Sequence, residues 1–474
     1  MKQDYLASLR NGDPLTPRQL IRMIIRLSIP AILAQISSII MQYIDASMLG
    51  HLGSTESASV GLVASSTWLM GGLCMALNIG FTVQIAQAIG AKDDRQARNL
   101  VRLGLLTGMI GSLLLLLIGV LISGSLPLWL RGSADLQPGA SLYFLVFALS
   151  IPIFELNGLA TGMIQSSGNM KLPSILHILM CVLDVLFNAF LIFPELSFEL
   201  FSIQITLPGF GFGIFGAALG TVLAEAVIVF FMLRHLLIQS PALRLRLEER
   251  FVFSKAALKT AFKLAAPIGF EQFVMCGAYI ASTYILAPLG SISLAANAFS
   301  VTAESLCYMP GYGIASAATT IIGQSIGAGR VALTRRLAWL TTWLGMGIMA
   351  ATGALMFVFA PEMIALISPD PEVQRLGTLI LRIEAFAEPM YAASIVANGV
   401  FRGAGDTFVP SCMNLVSMWA IRIPLAACLA PIYGIQGVWI AMAAELTCRG
   451  IMFLLRLRSS RWQKKIQVTQ KADI

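Results

Sequence analysis

Charge is the scarcest resource in this sequence. Of its 474 residues only 12% are Asp, Glu, Lys or Arg, whereas 57% are hydrophobic. A soluble globular protein carries about 25% charged residues, so this chain cannot supply the polar coat that a water-exposed surface needs. A soluble enzyme and a nucleic-acid-binding domain are both excluded, and the net charge of +8 has to be explained in another way. Histidine is nearly absent: His51, His177 and His235 are far apart and provide neither an HExxH pair nor any metal-ligand spacing, so no metal site is expected. There is no GxxxxGK[ST] phosphate loop and hence no sign of a nucleotide motor. The seven cysteines contain no CxxC pair and all sit inside apolar stretches, where they are expected to act as small core hydrophobes. Enzyme motifs and resident cofactors are therefore not expected.

What the chain has in abundance is long apolar runs. Segments able to cross a hydrocarbon core of about 30 Å, which takes about 20 helical residues, recur twelve times. They fall near 24–50, 56–88, 102–124, 139–166, 173–194, 211–238, 264–288, 294–326, 338–360, 377–401, 409–430 and 434–456. Backbone groups in lipid must be satisfied within the chain, and long runs without period-two alternation are helices. With twelve spans, 27 of the 32 lysines and arginines lie on one side: in the N-terminus, in the even-numbered connections and in the C-terminal tail. The positive-inside rule then places both termini in the cytoplasm of a multi-pass plasma (inner) membrane protein.

An internal repeat organises the spans. A shift of 237 residues aligns Pro30 with Pro267, Gln35 with Gln272 and Leu52-Gly53-Ser54 with Leu289-Gly290-Ser291. The register continues through Thr82 and Thr319, Gln87 and Gln324, Gly90 and Gly327, Arg98 and Arg335, Gly168 and Gly405, and Pro173 and Pro410. A later offset of 221 implies about 16 extra residues in the first half, placed in the 195–210 stretch. The fold expected is an all-α integral membrane protein, with twelve transmembrane helices in two pseudo-symmetric six-helix lobes around a central cleft. The lobes are 1–238 and 263–456, joined by a basic cytoplasmic linker at 239–262 and followed by a basic tail at 457–474. The linker alternates leucines with arginines and is suited to lie along the inner leaflet. Parallel copies facing a cleft are a transporter architecture.

Ionisable groups inside spans are the candidates for function, because each one is costly to insert. Acids in or near the spans are Asp45, Glu155, Asp184, Glu225, Glu271, Glu304, Glu384, Glu388 and Glu445; the bases are Arg382, Arg422 and Arg449. This excess of acids suits a cavity for protons, Na⁺ or organic cations. Asp45 follows Pro30, which removes a backbone donor and is a candidate hinge together with Pro267. Asp184 and Asn188 are four apart and share a helix face, either as an ion site or as polar glue between helices. Glu271, Glu304 and Glu388 are further candidates, with Gln35 and Tyr391 as cavity groups. Glu155, Glu225 and Glu445 are read as packing or interfacial residues.

Taken together these residues resemble the MATE (multidrug and toxic compound extrusion) family. The similarity rests on Pro30…Asp45-x4-Gly50-x2-Gly53, Gly162-x5-Gly168-x4-Pro173, Glu271, Gly323-Gln324-x2-Gly327-Ala328-Gly329, and Arg402-Gly403-x-Gly405-Asp406-Thr407-x2-Pro410. The resemblance implies twelve helices and export of cationic amphipathic compounds in exchange for H⁺ or Na⁺. It assigns coupling roles to Asp45 and Glu271, and to Asp184 and Asn188, which stand in reversed order relative to the family's pair. An Asp that some members carry in the tenth helix falls at or near Tyr391, with Glu388 close by. The partners expected are small organic cations and membrane lipids, with no nucleic acid, and the protein is expected to be monomeric. The alternatives are a flippase for a lipid-linked precursor, for which Arg422 is the supporting residue, and a non-pumping channel or scaffold.

Overall fold

The structure is a computed structural model that describes residues 5–200, 203–246, 248–459 and 461–463. Lys2, Lys464, Lys465 and Lys471 of the basic termini and Leu247 of the linker lie outside these residues. A short helix α1 (Tyr5–Asn11) precedes α2 (Pro17–Leu52), α3 (Ser54–Gly90), α4 (Asp94–Ser123), the one-turn α5 (Leu126–Trp129), α6 (Gln137–Ser166), α7 (Lys171–Ile192) and α8 (Gly213–Arg234). The second half contains α9 (Lys255–Leu286), α10 (Ser291–Gly327), α11 (Val331–Ala365), α12 (Pro371–Ala385), α13 (Glu388–Gly403), α14 (Phe408–Val416), α15 (Ile423–Tyr433) and α16 (Ile435–Arg458). Each of the twelve expected spans has its counterpart.

Among the described residues, ten spans are by themselves long and apolar enough to cross a membrane. Helix α10 has the length, but serine, threonine, glycine and Glu304 dilute its apolar character. The tenth span is divided into α12 and α13 around Phe386 and Ala387, because Pro389 occupies the first turn of α13 and has no N–H to continue the ladder. Pro424 acts similarly in the eleventh span, where a π-turn at Ser417–Arg422 separates α14 from α15.

The extra residues of the first half are not helical. They form a two-stranded antiparallel hairpin, β1 (Glu195–Leu200) and β2 (Ile203–Pro208), with Glu195 opposite Pro208 and Leu200 opposite Ile203. The sequence alternates apolar and polar residues through this stretch, the period of a strand. Among the described residues this hairpin is the one departure from the all-helical expectation.

Contacts divide the chain into two compact units. One comprises Met1–Ile36, Ala86–Asp93 and Lys263–Ile474; the other comprises Ser37–Ile85 and Asp94–Phe262. Within the first unit, repeat-related residues make reciprocal contacts. A Cβ on Gly90 would stand 2.2 Å from the carbonyl oxygen of Gln324, and one on Gly327 would stand 1.9 Å from that of Gln87. Glycine is therefore required on both sides of one helix crossing. In the second unit Ser166 donates to the Thr82 carbonyl at 2.9 Å; in the first, its repeat mate Gly403 lies against the Thr319 carbonyl, where a Cβ would come within 2.5 Å. The Gly405-Asp406 motif has a structural role. Gly405 adopts a left-handed φ of 76°, and Asp406, fully buried, pairs with Arg456 of α16.

The linker is tied to α4. Arg98 grips Glu249 with Nε at 2.8 Å and NH2 at 2.5 Å. Arg102 donates to the carbonyls of Glu249 and Arg246, and Asn99 exchanges two hydrogen bonds with Val252. The Arg98 guanidinium holds the Glu249 carboxyl below its ordinary value of 4.5. The cysteines are all free, and only Cys74 and Cys307 are buried, so the expected core role holds for those two; Cys428 and Cys448 are exposed on spans.

Two predictions follow from this packing. Gly327→Val meets backbone that cannot move aside, and is expected to lower the thermal stability of the purified protein by about 1–3 kcal/mol or more. Gly61→Ala, with nothing within 4 Å of the new Cβ, is expected to leave it unchanged. For the linker, a depressed carboxyl pKa means that the clamp is complete above the ordinary value of 4.5 and is lost only on acidification below it. Corrected for the intrinsic exchange rate, the protection of the amides of residues 244–252 is expected to fall below that pH, and Glu249→Gln is expected to lower it at neutral pH.

Candidate functional site

Three of the expected residues meet in the second unit. Helix periodicity puts Asp184 and Asn188 on one face of α7, and that face meets Asp45 of α2. The Asn188 Nδ2 donates to Asp45 Oδ1 at 2.9 Å and to Asp184 Oδ2 at 3.1 Å. One neutral amide thus holds two carboxyl groups. Asp184 and Asn188 are fully buried, and Asp45 is half-buried. The second oxygen of Asp184 and the amide oxygen of Asn188 take no hydrogen bond among the described residues. The approach of α8 requires Gly220, since a Cβ there would stand 2.1 Å from Asn188 Oδ1.

Two further acids of this unit are buried. Glu225 of α8 accepts a hydrogen bond from Asn157 Nδ2 of α6 at 2.6 Å. Thr161, one turn along α6, donates to Asn157 at 3.4 Å and lies 3.3 Å from His177 Nε2 on α7. Glu155 is fully buried, and neither of its oxygens takes a hydrogen bond among the described residues. None of the four ion pairs among the described residues involves these acids. The packing role read for Glu225 from sequence omitted its partner: Asn157 gives no local signal, and only the α6–α8 contact pairs it with the acid.

Glu271 belongs to the other unit. It stands half-buried on α9 and accepts hydrogen bonds from Ser411 Oγ at 2.6 Å and Asn414 Nδ2 at 2.7 Å, both from α14. Glu304, Glu384, Glu388 and Glu445 are all buried in this unit. Glu445 forms an ion pair with Arg449 at 3.2 Å, while both oxygens of Glu384 and of Glu388 take no hydrogen bond among the described residues. Tyr391 packs edge-on against Tyr308, with ring centroids 5.5 Å apart, and Arg449 lies over its ring at 5.3 Å. Arg422 donates to Met442 Sδ at 2.7 Å. Gln35 stands half-buried on α2, ten residues before Asp45. Pro30 and Pro267 lie inside α2 and α9 without interrupting either helix. Close to Pro30, Gly313 of α10 lies where a Cβ would meet the Ile32 backbone at 2.6 Å.

A membrane protein of twelve spans, built from two copies of one unit and carrying in those spans acids that form no ion pair among the described residues, is a transporter and not an enzyme. The chain belongs to the MatE family, whose model matches it twice, over residues 30–190 and 267–428. The two matches begin at the prolines that the internal repeat aligns. The chain is 26% identical over 460 residues to the probable multidrug resistance protein NorM of Thermotoga maritima, with 94% of each chain covered. It is 25% identical over 427 residues to the uncharacterized transporter YisQ of Bacillus subtilis, with 89% of this chain and 90% of the other covered. Among solved structures, the bent form of the Vibrio cholerae MATE transporter VcmN aligns with a TM-score of 0.83 at 20% identity, covering 97% of this chain and 98% of that one. A MOP superfamily transporter from Pyrococcus furiosus aligns with a TM-score of 0.86 at 19% identity, covering 99% and 100%; for that protein a reversed polarity of the binding pocket suggests a different function.

The three-residue cluster makes its own prediction. Gly220→Ala places a methyl group where the Asn188 amide sits, and is expected to reduce transport as strongly as Asn188→Ala, by at least tenfold in initial rate. Gly71→Ala, on α3 of the same unit with open space around it and an ordinary helical backbone, controls for effects on the fold.

Proposed function

We propose that the protein is a secondary active antiporter that exports cationic amphipathic drugs or toxic metabolites in exchange for H⁺ or Na⁺. It works from the plasma membrane by alternating access, as a monomer with both termini in the cytoplasm. The observation that carries this reading is the bridging of Asp45 and Asp184 by one neutral amide, with neither in an ion pair among the described residues. Two carboxylates at such a separation repel each other in a medium of low dielectric. A proton, a Na⁺ ion or an organic cation relieves that repulsion, and any two of these compete for the same charge. Competition at one site is sufficient for exchange, because each ligand weakens the binding of the other by the same factor.

The acids of the second half support a cationic cargo. Glu304, Glu384 and Glu388 are buried, and the nearby bases are engaged: Arg449 with Glu445 and the Tyr391 ring, Arg422 with Met442. A groove for an anionic pyrophosphate lipid would instead display its guanidinium groups. The Pyrococcus neighbour is a reminder that one fold accommodates pockets of opposite polarity, so the side chains and not the helices define the cargo.

The test uses proteoliposomes loaded with a fluorescent lipophilic cation. Export is expected under an imposed ΔpH alone or an imposed ΔNa⁺ alone, and whichever gradient drives it identifies the coupling ion. Asp45→Asn, reconstituted at equal density, is expected to lose at least 90% of the driven rate. Full-rate export by that variant would refute the role of Asp45, and export under neither gradient would refute antiport.

A further inference from the structure

A second site of different character lies on the outer face of the ninth and tenth spans. Helices α11 and α12 enclose an open groove of about 830 Å³ whose walls include Phe357, Pro361, Arg375, Thr378, Arg382 and Phe386. The way Arg382 is held follows from the sequence. In an α-helix the carbonyl of residue 357 would accept from the N–H of residue 361, but residue 361 is proline and has none to give. Arg382 takes its place: its Nε donates to the Phe357 carbonyl at 3.2 Å. Its guanidinium also lies over the Phe357 ring at 5.4 Å, and that ring packs edge-on against Phe386 with centroids 5.6 Å apart. The guanidinium is thereby fixed by a carbonyl and a ring. Among the described residues it makes no ion pair and no further hydrogen bond, so both terminal nitrogens remain available.

The depth of this group identifies what it meets. Arg402 marks the basic end of the tenth span, and crossing the hydrocarbon takes about 20 helical residues. Counting back from Arg402 brings the far boundary of the hydrocarbon to Arg382. Arg375 stands two helical turns further out, about 10 Å along the axis, in the headgroup layer. It is exposed and paired with Glu372 at 3.1 Å, so the groove as a whole carries one uncompensated positive charge. An exposed arginine at the edge of the hydrocarbon extends its guanidinium to the headgroup layer, where lipid phosphates are the abundant anions. The exposed faces of Phe357 and Phe386 flank it with apolar surface of the kind that an acyl chain covers.

We propose that this groove binds one anionic phospholipid of the leaflet opposite the basic end, with its phosphate on Arg382 and an acyl chain along Phe357 and Phe386. A single negative charge complements the groove, whereas the ammonium of a zwitterionic headgroup would be repelled. Arg382 presents two parallel N–H donors to phosphate oxygens, the geometry that guanidinium–phosphate pairs adopt. Thr378, between the two arginines, is placed to hydrogen-bond the glycerol portion.

The test is native mass spectrometry of the full chain in neutral maltoside detergent, with phosphatidylglycerol and phosphatidylcholine of identical acyl chains added in equal amounts. The parent is expected to retain one phosphatidylglycerol in preference to phosphatidylcholine. Arg382→Gln is expected to reduce that adduct at least fivefold without changing phosphatidylcholine retention. Pro361→Ala restores the helical donor to the Phe357 carbonyl and releases Arg382, so it is expected to weaken the adduct while preserving every charge. Arg382→Lys, which keeps the charge and so protects folding, is expected to give an intermediate loss. Glycerol 3-phosphate at millimolar concentration is expected not to displace the lipid. Equal retention by Arg382→Gln and the parent, or displacement by glycerol 3-phosphate, would overturn the proposal.

Discussion

A carboxylate in hydrocarbon has no water to lean on, and nearly everything distinctive about this molecule follows from that fact. Each buried acid must be hydrogen-bonded, paired, neutral or in contact with a cation. The chain uses several of these solutions. Asp406 and Glu445 are paired with arginines, which makes them part of the architecture. Glu225 and Glu271 are held by neutral amide and hydroxyl donors that leave their charge uncompensated. Asp45 and Asp184 share a single donor. A site that gives up its ion on demand needs this last condition, because a permanent arginine partner would remove the reason to bind anything else.

The helical frame was legible in the sequence because lipid imposes a simple code of long apolar runs bounded by basic residues. The repeat was legible too, and its physical meaning emerges at Gly90 and Gly327, where equivalent glycines face each other's glutamine carbonyls. What the apolar code does not contain are local changes of backbone state. The 195–208 insertion carries a strand's alternation over only a few residues, which a scan for spans passes over. The breaks in the tenth and eleventh spans are set by Pro389 and Pro424, yet Pro30, Pro267 and Pro310 sit inside continuous helices. A proline alone does not decide the outcome; the packing of the neighbouring turn does.

The candidate site was legible in part. Asp184 and Asn188 were joined by helix spacing alone, and Asp45 was singled out by its charge, but the amide bridge between them depends on two helices meeting. Partners separated by 68 or 143 residues, such as Asn157 for Glu225 and Asn414 for Glu271, leave no trace in local sequence, since asparagine is common wherever helices touch in membranes. The motif around Gly403, Gly405 and Asp406 illustrates the converse. It is one part of the combined sequence resemblance to the family, and in the structure it serves a turn and a buried ion pair.

The most direct test of the account is to ask whether cargo and coupling ion exclude each other on the purified protein. A saturating lipophilic cation, added to weakly buffered protein in detergent, should release about one proton per bound molecule, or displace bound radioactive Na⁺ in a Na⁺-loaded sample. Asp45→Asn combined with Asp184→Asn should abolish that release. Saturable binding of the cation with neither ion displaced would contradict the central claim.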